Sequence, residues 1–510
     1  MKYHLVPGNR EKWCQSAIII VVSLFLCLPV HLDTGCAYAA GRAGLRNHQA
    51  PEFAPLPPMQ RFLSGTALNR RKYAENIRNA NEFLSSENHF RIFWGNDIDP
   101  WDANWHDTDG NGTPQWIDVI AQALEDAHAI QYSQGFAVPY GMDRYALDVY
   151  IANTGMEILN SETGSWEKVT ISSGYFALTE INEADACAWF VFNSDFSNIV
   201  SSSDEMTVLR VTAAHELFHA VQRSYYPWND SSKISNARWD KEGWWFEASA
   251  AWMEEICEPD ANDYAEYVRD FLARPDKSIT TFDGNREYGA SVYCGYLWMK
   301  YGGASLWQTV FENASSDGLE DSIDSALSQS GGPSFYRSVA EFWSFAAHPE
   351  DTWPDGALYK SSSAPEISQT VNAIPSDFSV KRFSPDRLGA YLIKLDKTIE
   401  KPAGLTISNV SSDSAWIAAM SAEDVTDPIT KELKPGIERN LSYSGSDSYI
   451  AIVNVSETQG SQNFDLGIDE GDVNDLPDND NSCDGDNTDS GGGSSGCFID
   501  SAGLLFFKIP

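Results

Sequence analysis

His215-Glu216-Leu217-Phe218-His219 sets two imidazoles four residues apart with a carboxylate beside the first. On a helix of 3.6 residues per turn, positions i and i+4 share a face, so both rings can reach one metal ion. Glu216 would then stand next to a metal-bound water and act as its base. The chain has only nine histidines in 510 residues, so this spacing is informative. The plain alternative is a pair of satisfied core histidines. A catalytic zinc needs a third protein ligand and one open position. Glu247 is the candidate: the periodicity of Trp244-Trp-Phe-Glu247-Ala-Ser-Ala-Ala-Trp-Met-Glu254-Glu255 sets Glu247 and Glu254 on nearly one helical face. An acid among Trp, Phe and Met is costly unless paired, and a zinc ion would supply the opposite charge.

These residues must be carried by helices. Val208 to Gln222 holds no proline or glycine, and Glu216 is the single charge between Val211 and Phe218, as in a mostly buried helix. Thr212, Ala213, Ala214, Leu217, Phe218 and Val221 match the constrained positions of the long zincin signature. In this stretch the chain resembles the gluzincins, the thermolysin-like and zinc-aminopeptidase superfamily. Their pattern Trp-x-x-Glu-x-x-Ala-x-x-x-Glu is met by Trp244, Glu247, Ala250 and Glu254. The resemblance implies an α+β zincin-like domain with His215, His219 and Glu247 as zinc ligands, Glu216 as catalytic base and Glu254 as an acid behind the ligands. The Gly-Ala-Met-Glu-Asn type exopeptidase element of the aminopeptidases is missing, which leaves endopeptidase action open. Arg286-Glu-Tyr288-Gly-Ala-Ser-Val292 is similar to the aminopeptidase Tyr-x-x-Gly-Ala-Ser-Val stretch, whose Tyr stabilises the tetrahedral intermediate. Here Tyr288 adjoins the Gly directly, so Arg286 and Tyr293 stand as alternatives to it. Over roughly residues 88 to 350 the order of these motifs also resembles a sparsely characterised group of secreted bacterial metalloproteases.

A second pattern suits a harder ion. Asp107-Thr-Asp109-Gly-Asn111-Gly112-Thr113-Pro-Gln115-Trp-Ile-Asp118 sets side-chain oxygens at loop positions 1, 3, 5, 9 and 12, with glycine at position 6 for the sharp turn. Asp107, Asp109, Asn111, Thr113 and Asp118 are the expected ligands of a structural calcium ion, and a helix over Trp116 to Gln131 should leave the loop. A plain Asp/Asn/Gly turn is the competing reading.

Length and charge bound the remainder. A chain of 510 residues exceeds what one core usually supports, so two folded units with tails are expected. The basic start, the apolar run from Ala17 to Leu28 and Ala37-Tyr-Ala39 read as a secretory signal peptide over 1–39. Residues 40–87 are rich in arginine, as a basic arm or a removable prosegment. A zincin-like catalytic domain is expected over 88–359, a β-sandwich over 376–468, and an acidic, Gly-rich linker and tail over 469–510. The tail ends near Cys497 in a pattern that suggests cell-surface attachment, on a secreted, extracellular protein. A net charge of −38 disfavours nucleic acid as a partner, and no later apolar run is long enough for a transmembrane helix. Of the eight cysteines, Cys14, Cys27 and Cys36 would leave with the signal. One bridge among Cys187, Cys257 and Cys294 is compatible with an oxidising compartment.

Strands are expected at His89–Trp94, Tyr145–Ala152, Gly174–Thr179 and Ala188–Phe192. Helices follow at Asp263–Leu272, Tyr288–Tyr301, Ser305–Asn313 and Ser334–Ala347, and strands return after Tyr359. The function these features imply is hydrolysis of protein or peptide substrates by metal-activated water. The rival is a surface adhesin or glycan-binding protein on an inactive zincin scaffold, with the strand-rich region and acidic tail as its working parts.

Overall fold

The computed structural model describes residues 77–471, apart from 161–163, 183–186, 201–204, 226–235, 315–317, 360–365, 375–378, 400–402, 411–413, 423–427, 442–445 and 458–461. The expected signal segment, most of the basic arm and the Cys497 tail lie outside the described residues.

The first part is built on strands β1 (Ile77–Arg78), β2 (Asn81–Leu84) and β3 (Phe90–Trp94), helix α1 (Gln115–Ser133), and strands β4 (Leu147–Ile151), β5 (Glu157–Leu159), β6 (Trp166–Lys168), β7 (Ala177–Asn182) and β8 (Cys187–Phe192). Five of these form one sheet in the order β2-β3-β4-β8-β7. β3, β4 and β8 run parallel, while β2 and β7 are antiparallel at the two edges. Every residue of β3 and β4 is buried, as in a parallel sheet covered on both faces. On one face Phe90, Ile92, Leu147, Val149, Phe190 and Phe192 pack with Trp116, Ile120 and Leu124 of α1 and with Val208, Leu209 and Leu217 of α2 (Glu205–Tyr225). On the other, Phe93, Tyr150 and Val191 meet Met156, Val169 and Ile158 around the small sheet β1-β5-β6. Because β2 pairs with β3 in register from Asn81↔Trp94 to Leu84↔Arg91, residues 81–84 belong to the fold. Removing all of 40–87 as a prosegment would strip an edge strand.

Helices dominate next. α3 (Asn236–Cys257), α4 (Ala265–Leu272), α5 (Arg286–Gly289), α6 (Ser291–Tyr301), α7 (Ala304–Ala314), α8 (Leu319–Gln329), α9 (Phe335–Ala346) and α10 (Pro349–Thr352) surround an aromatic core. Trp244, Trp245, Tyr293, Trp307 and Trp343 are fully buried in it, each contributing on the order of 1.5–3 kcal/mol or more of apolar burial. The single helix expected over 288–301 is two, meeting at Ala290, which serves as C-cap of α5 and N-cap of α6. That break turns Tyr288 onto a short helix of its own. Cys187, Cys257 and Cys294 carry thiols on three different elements and form no bridge with one another.

Strands then return as β9 (Gln369–Val371), β10 (Ser379–Phe383), β11 (Ala390–Leu395), β12 (Ala403–Ser408), β13 (Trp416–Ala422), β14 (Ile429–Leu433), β15 (Glu438–Leu441), β16 (Ser448–Asn454) and β17 (Phe464–Glu470). They make a sheet β14-β13-β16-β11-β9 and a second sheet β10-β17-β12-β15. Strand alternation sends each strand's residues to two cores. Tyr391, Ile393, Trp416, Met420, Ile450 and Ile452 pack with Leu405, Ile407, Leu466 and Ile468 of the second sheet. Leu392, Ile417, Ala419, Tyr449, Ala451 and Val453 join the helical core instead. This sheet is therefore covered by helices on one side and strands on the other. Polar ties reinforce the seam: Trp343 Nε1 donates to Leu388 O at 3.0 Å, and Ser421 Oγ donates to Ser344 O at 2.8 Å. The whole is a mixed helix-and-sheet chain. Among the described residues no helix is long and apolar enough to cross a membrane.

Candidate metal centre

α2 is buried nearly all round, packed between α1, α3 and the edge strand β7. Ala213 and Ala214 keep its side toward α1 thin, and Gln131 Nε2 donates to Ala214 O at 3.0 Å. His215 and His219 emerge one turn apart on the side facing α3, as the i, i+4 spacing requires. Their Nε2 atoms are 3.0 Å apart. Glu247 Oε2 of α3 lies 3.3 Å from His215 Nε2 and 3.5 Å from His219 Nε2. Three donors around a tetrahedral zinc, at bonds of about 2.0–2.1 Å, would be separated by about 3.3 Å. The triangle has those dimensions.

The outer nitrogens are also engaged. His215 Nδ1 donates to Glu254 Oε1 at 2.6 Å, so this ring is held between the two acids that lie seven residues apart on α3. His219 Nδ1 donates to Gln222 Oε1 at 2.9 Å, and Gln222 Nε2 in turn donates to Phe246 O and Ser249 Oγ. A ring whose Nδ1 carries the proton presents the lone pair of Nε2 inward, which is the tautomer a metal requires. Neither Gln222 nor its link to α3 was evident from the sequence, where it reads as one more helical glutamine.

The electrostatics call for positive charge. Glu216, Glu247 and Glu254 bring three carboxylates to two imidazoles in a region with little solvent. Burial raises Glu254 above the usual carboxylate range despite the His215 contact. Burial alone would raise Glu247 as well, but the charges and hydrogen bonds of His219 and His215 outweigh it and hold it low. Burial opposes charge on His215, yet its bonds to Glu247 and Glu254 prevail and its pKa is well above the ordinary value. A proton on that ring, or a divalent cation in its place, answers the same excess of negative charge.

Glu216 is buried beside His215 and is held from the sheet. The Thr179 hydroxyl of β7 lies 2.5 Å from Glu216 Oε2 and 2.8 Å from Glu216 O. Thr179 thus fixes the carboxylate, a role that no local pattern in the sequence signals. Arg223, one turn beyond His219, is pushed down to about 9 by burial, against the charges of Glu180 on β7 and of Glu247.

The three residues named for charge stabilisation separate clearly. The Tyr288 ring lies 6.1 Å from that of His215, and the charge of Glu247, then burial, raises the phenol well above its usual value. It remains a proton donor. Gly289 permits this seating, because a Cβ there would meet Tyr267 O and Phe271 Cβ at 2.5 Å. Arg286 instead donates to the carbonyls of Phe271, Arg274, Lys277 and Ser278 and clamps that turn. Tyr293 lies in the core with its hydroxyl 2.8 Å from Ser338 Oγ.

The 107–118 loop folds as a tight turn leading into α1, with Gly110 and Gly112 at positive φ. Asp107 accepts from the amides of Gly110, Asn111 and Gly112, the last of which does most to lower its pKa. Asn111 Nδ2 donates to Asp109 Oδ2 and to both oxygens of Asp118, while its Oδ1 accepts from the Thr113 amide. Burial first, then the charges of Asp109 and Asp107, raise Asp118. Asn111 therefore draws Asp109 and Asp118 together.

Compared with known proteins, the chain matches no protein-family model and no curated protein sequence.

Proposed function

We propose that this chain is a zinc-dependent peptidase of the zincin kind, with His215, His219 and Glu247 holding the ion. The observation that carries the reading is the triangle of Nε2, Nε2 and Oε2 atoms at 3.0, 3.3 and 3.5 Å, with a carboxylate at residue 216 alongside. The bound ion would acidify a water molecule and polarise the scissile carbonyl. Glu216 takes the proton of the attacking water and later delivers it to the leaving amine. Thr179 keeps that carboxylate in one rotamer through both transfers. Tyr288 donates its phenolic hydrogen to the oxyanion that develops on the carbonyl. β7 is an antiparallel edge strand tied to Glu216 through Thr179, so an extended substrate pairing with that edge would run past the base. Such a geometry suits an endopeptidase.

Three further readings complete the proposal. The five-stranded sheet over α2 supports the zincin-like assignment of the first part, and the two sheets sharing one apolar core support a β-sandwich for the last. The 107–118 turn supports a structural calcium site through Asp107, Asp109, Asn111, Thr113 and Asp118, since its acids already converge on Asn111. Secretion and surface attachment rest on the sequence alone.

The test is casein hydrolysis by the purified chain with and without phenanthroline. Hydrolysis should stop with the chelator and return with zinc, and Glu216→Gln should abolish it, by at least about 10³-fold, while zinc stays bound. Chelator-insensitive hydrolysis or an active Glu216→Gln variant refutes the mechanism. Silence on every protein offered favours the adhesin or glycan-binding reading.

A further inference from the structure

Helix α1 carries Glu125 and His128 one turn apart, and the β2–β3 turn brings His89 onto them. Among the described residues, one nitrogen or oxygen of each of these three lies within 4.8 Å of those of the others, a convergence shared only by His215, His219 and Glu247. His89 Nδ1 donates to Glu125 Oε2 at 2.7 Å, and the His89 and His128 rings lie 4.5 Å apart. Glu125 and His128 are 6% and 4% exposed, so neither can rely on bulk water. Glu125 is held further: from outside the cluster Ser85 Oγ donates to its Oε1, and the backbone amide of His89 reaches the same oxygen at 3.3 Å.

One atom in this arrangement has no account. His128 Nε2 is buried and has no hydrogen-bond partner. Leaving such a nitrogen unsatisfied costs about 1–3 kcal/mol, and native cores rarely leave it so without a bound water or ion. An imidazole nitrogen with a free lone pair is the donor that a metal takes.

We propose that His89, Glu125 and His128 form a second cation site, taking a borderline transition ion such as zinc and joining the β2–β3 turn to the middle of α1. Two imidazoles and one carboxylate suit such an ion and do not suit calcium or magnesium, which take oxygen ligands. Ser85 would orient the ligating carboxylate from behind, as supporting groups do in zinc sites. Binding would open the 2.7 Å His89–Glu125 contact toward the separation of about 3.3 Å found around a tetrahedral ion. Among the described residues the cluster has no further carboxylate placed as Glu216 is, so its role is structural, and the inference stands whether or not the chain is a peptidase.

The experiment counts zinc. The full chain is stripped with chelator, reloaded with excess zinc, freed of loose metal, and assayed by elemental mass spectrometry together with His128→Gln, His89→Gln and the double variant His215→Ala/His219→Ala. The expected stoichiometries are two ions per wild-type chain and one in each variant. Stripping should also lower the Tm of the His215→Ala/His219→Ala variant, which keeps only this site, and zinc should restore it. One ion in the wild type, lost in His215→Ala/His219→Ala, overturns the proposal and leaves the peptidase reading intact. An unchanged count in His215→Ala/His219→Ala, with one ion lost in His128→Gln, does the reverse. Should the variants fail to fold, the wild-type chain decides: two ions support the second site, whereas a single ion accompanied by chelator-sensitive casein hydrolysis, which assigns that ion to His215, His219 and Glu247, removes it.

Discussion

Two clusters of imidazole and carboxylate are built from the same residue types on neighbouring elements, and they differ in what surrounds the donors. At His215, His219 and Glu247 the outer nitrogens are tied to Glu254 and Gln222, and a third carboxylate, Glu216, is held alongside by Thr179. At His89, Glu125 and His128 the carboxylate is the well-supported member, one imidazole nitrogen is left without a partner, and among the described residues no equivalent of Glu216 is present. Three converging donors are enough to bind an ion. Chemistry needs an additional base beside it, a fixed orientation for that base, and an edge where substrate can lie.

The sharpest way to break this contrast is to remove the ligand that joins α3 to α2. Glu247→Ala should lose at least about 10³-fold in hydrolysis together with one bound zinc, read by turnover of a quenched peptide and by metal content. A variant that kept both would show that the triangle is not a metal centre. Tyr288→Phe should lower kcat by about 10²-fold with metal content unchanged, the loss expected for one donor to an oxyanion; an unchanged kcat would remove Tyr288 from the reaction. Glu254→Gln or Gln222→Ala should weaken zinc by about 10–100-fold while Glu216 stays in place, measured by competition with a chelating dye.

A third buried imidazole supplies a control outside both clusters. His348 stacks on Tyr449, its Nε2 lies 2.7 Å from Ser421 Oγ, and burial lowers its pKa to about 4 against the opposing pull of Asp351. The unfolded chain takes up this proton near the ordinary histidine value of 6.5, before the folded one does. Stability is therefore full above pH 6.5 and falls as pH drops toward 4. A shift of this size corresponds to at most about 3 kcal/mol. Urea unfolding of the wild type and His348→Gln between pH 7 and pH 4 should show the variant losing less. Equal slopes would mean that His348 takes up its proton in the fold as readily as in the unfolded chain.

The legible parts of the site were those in which one helix carries the information. His215, Glu216 and His219 were readable because i, i+4 spacing places side chains without help from the remainder of the chain. The Trp244–Glu255 periodicity likewise put Glu247 and Glu254 on one face, and both acids reach the two nitrogens of His215. Tyr288 was one of three candidates because the choice depended on a helix break at Ala290 and on Gly289 meeting α4, contacts distant in sequence. Thr179 and Gln222 carried no signal at all, since ordinary strand and helix residues gain their roles only from the neighbour they meet.

Strands follow the same rule. Strands were expected after Tyr359, and with them the existence of a sheet. That the even and odd residues of β11, β13 and β16 enter two different cores, one of them shared with α9, was not. The second cluster is the extreme case: Glu125 and His128 are a turn apart, but His89 reaches them from another element. Local sequence by itself determined which side chains share a helical or strand face, because backbone geometry repeats every 3.6 or two residues. The tertiary structure alone decided which faces meet and which polar atoms are left for an ion, because that depends on packing between segments that the chain brings together only when folded.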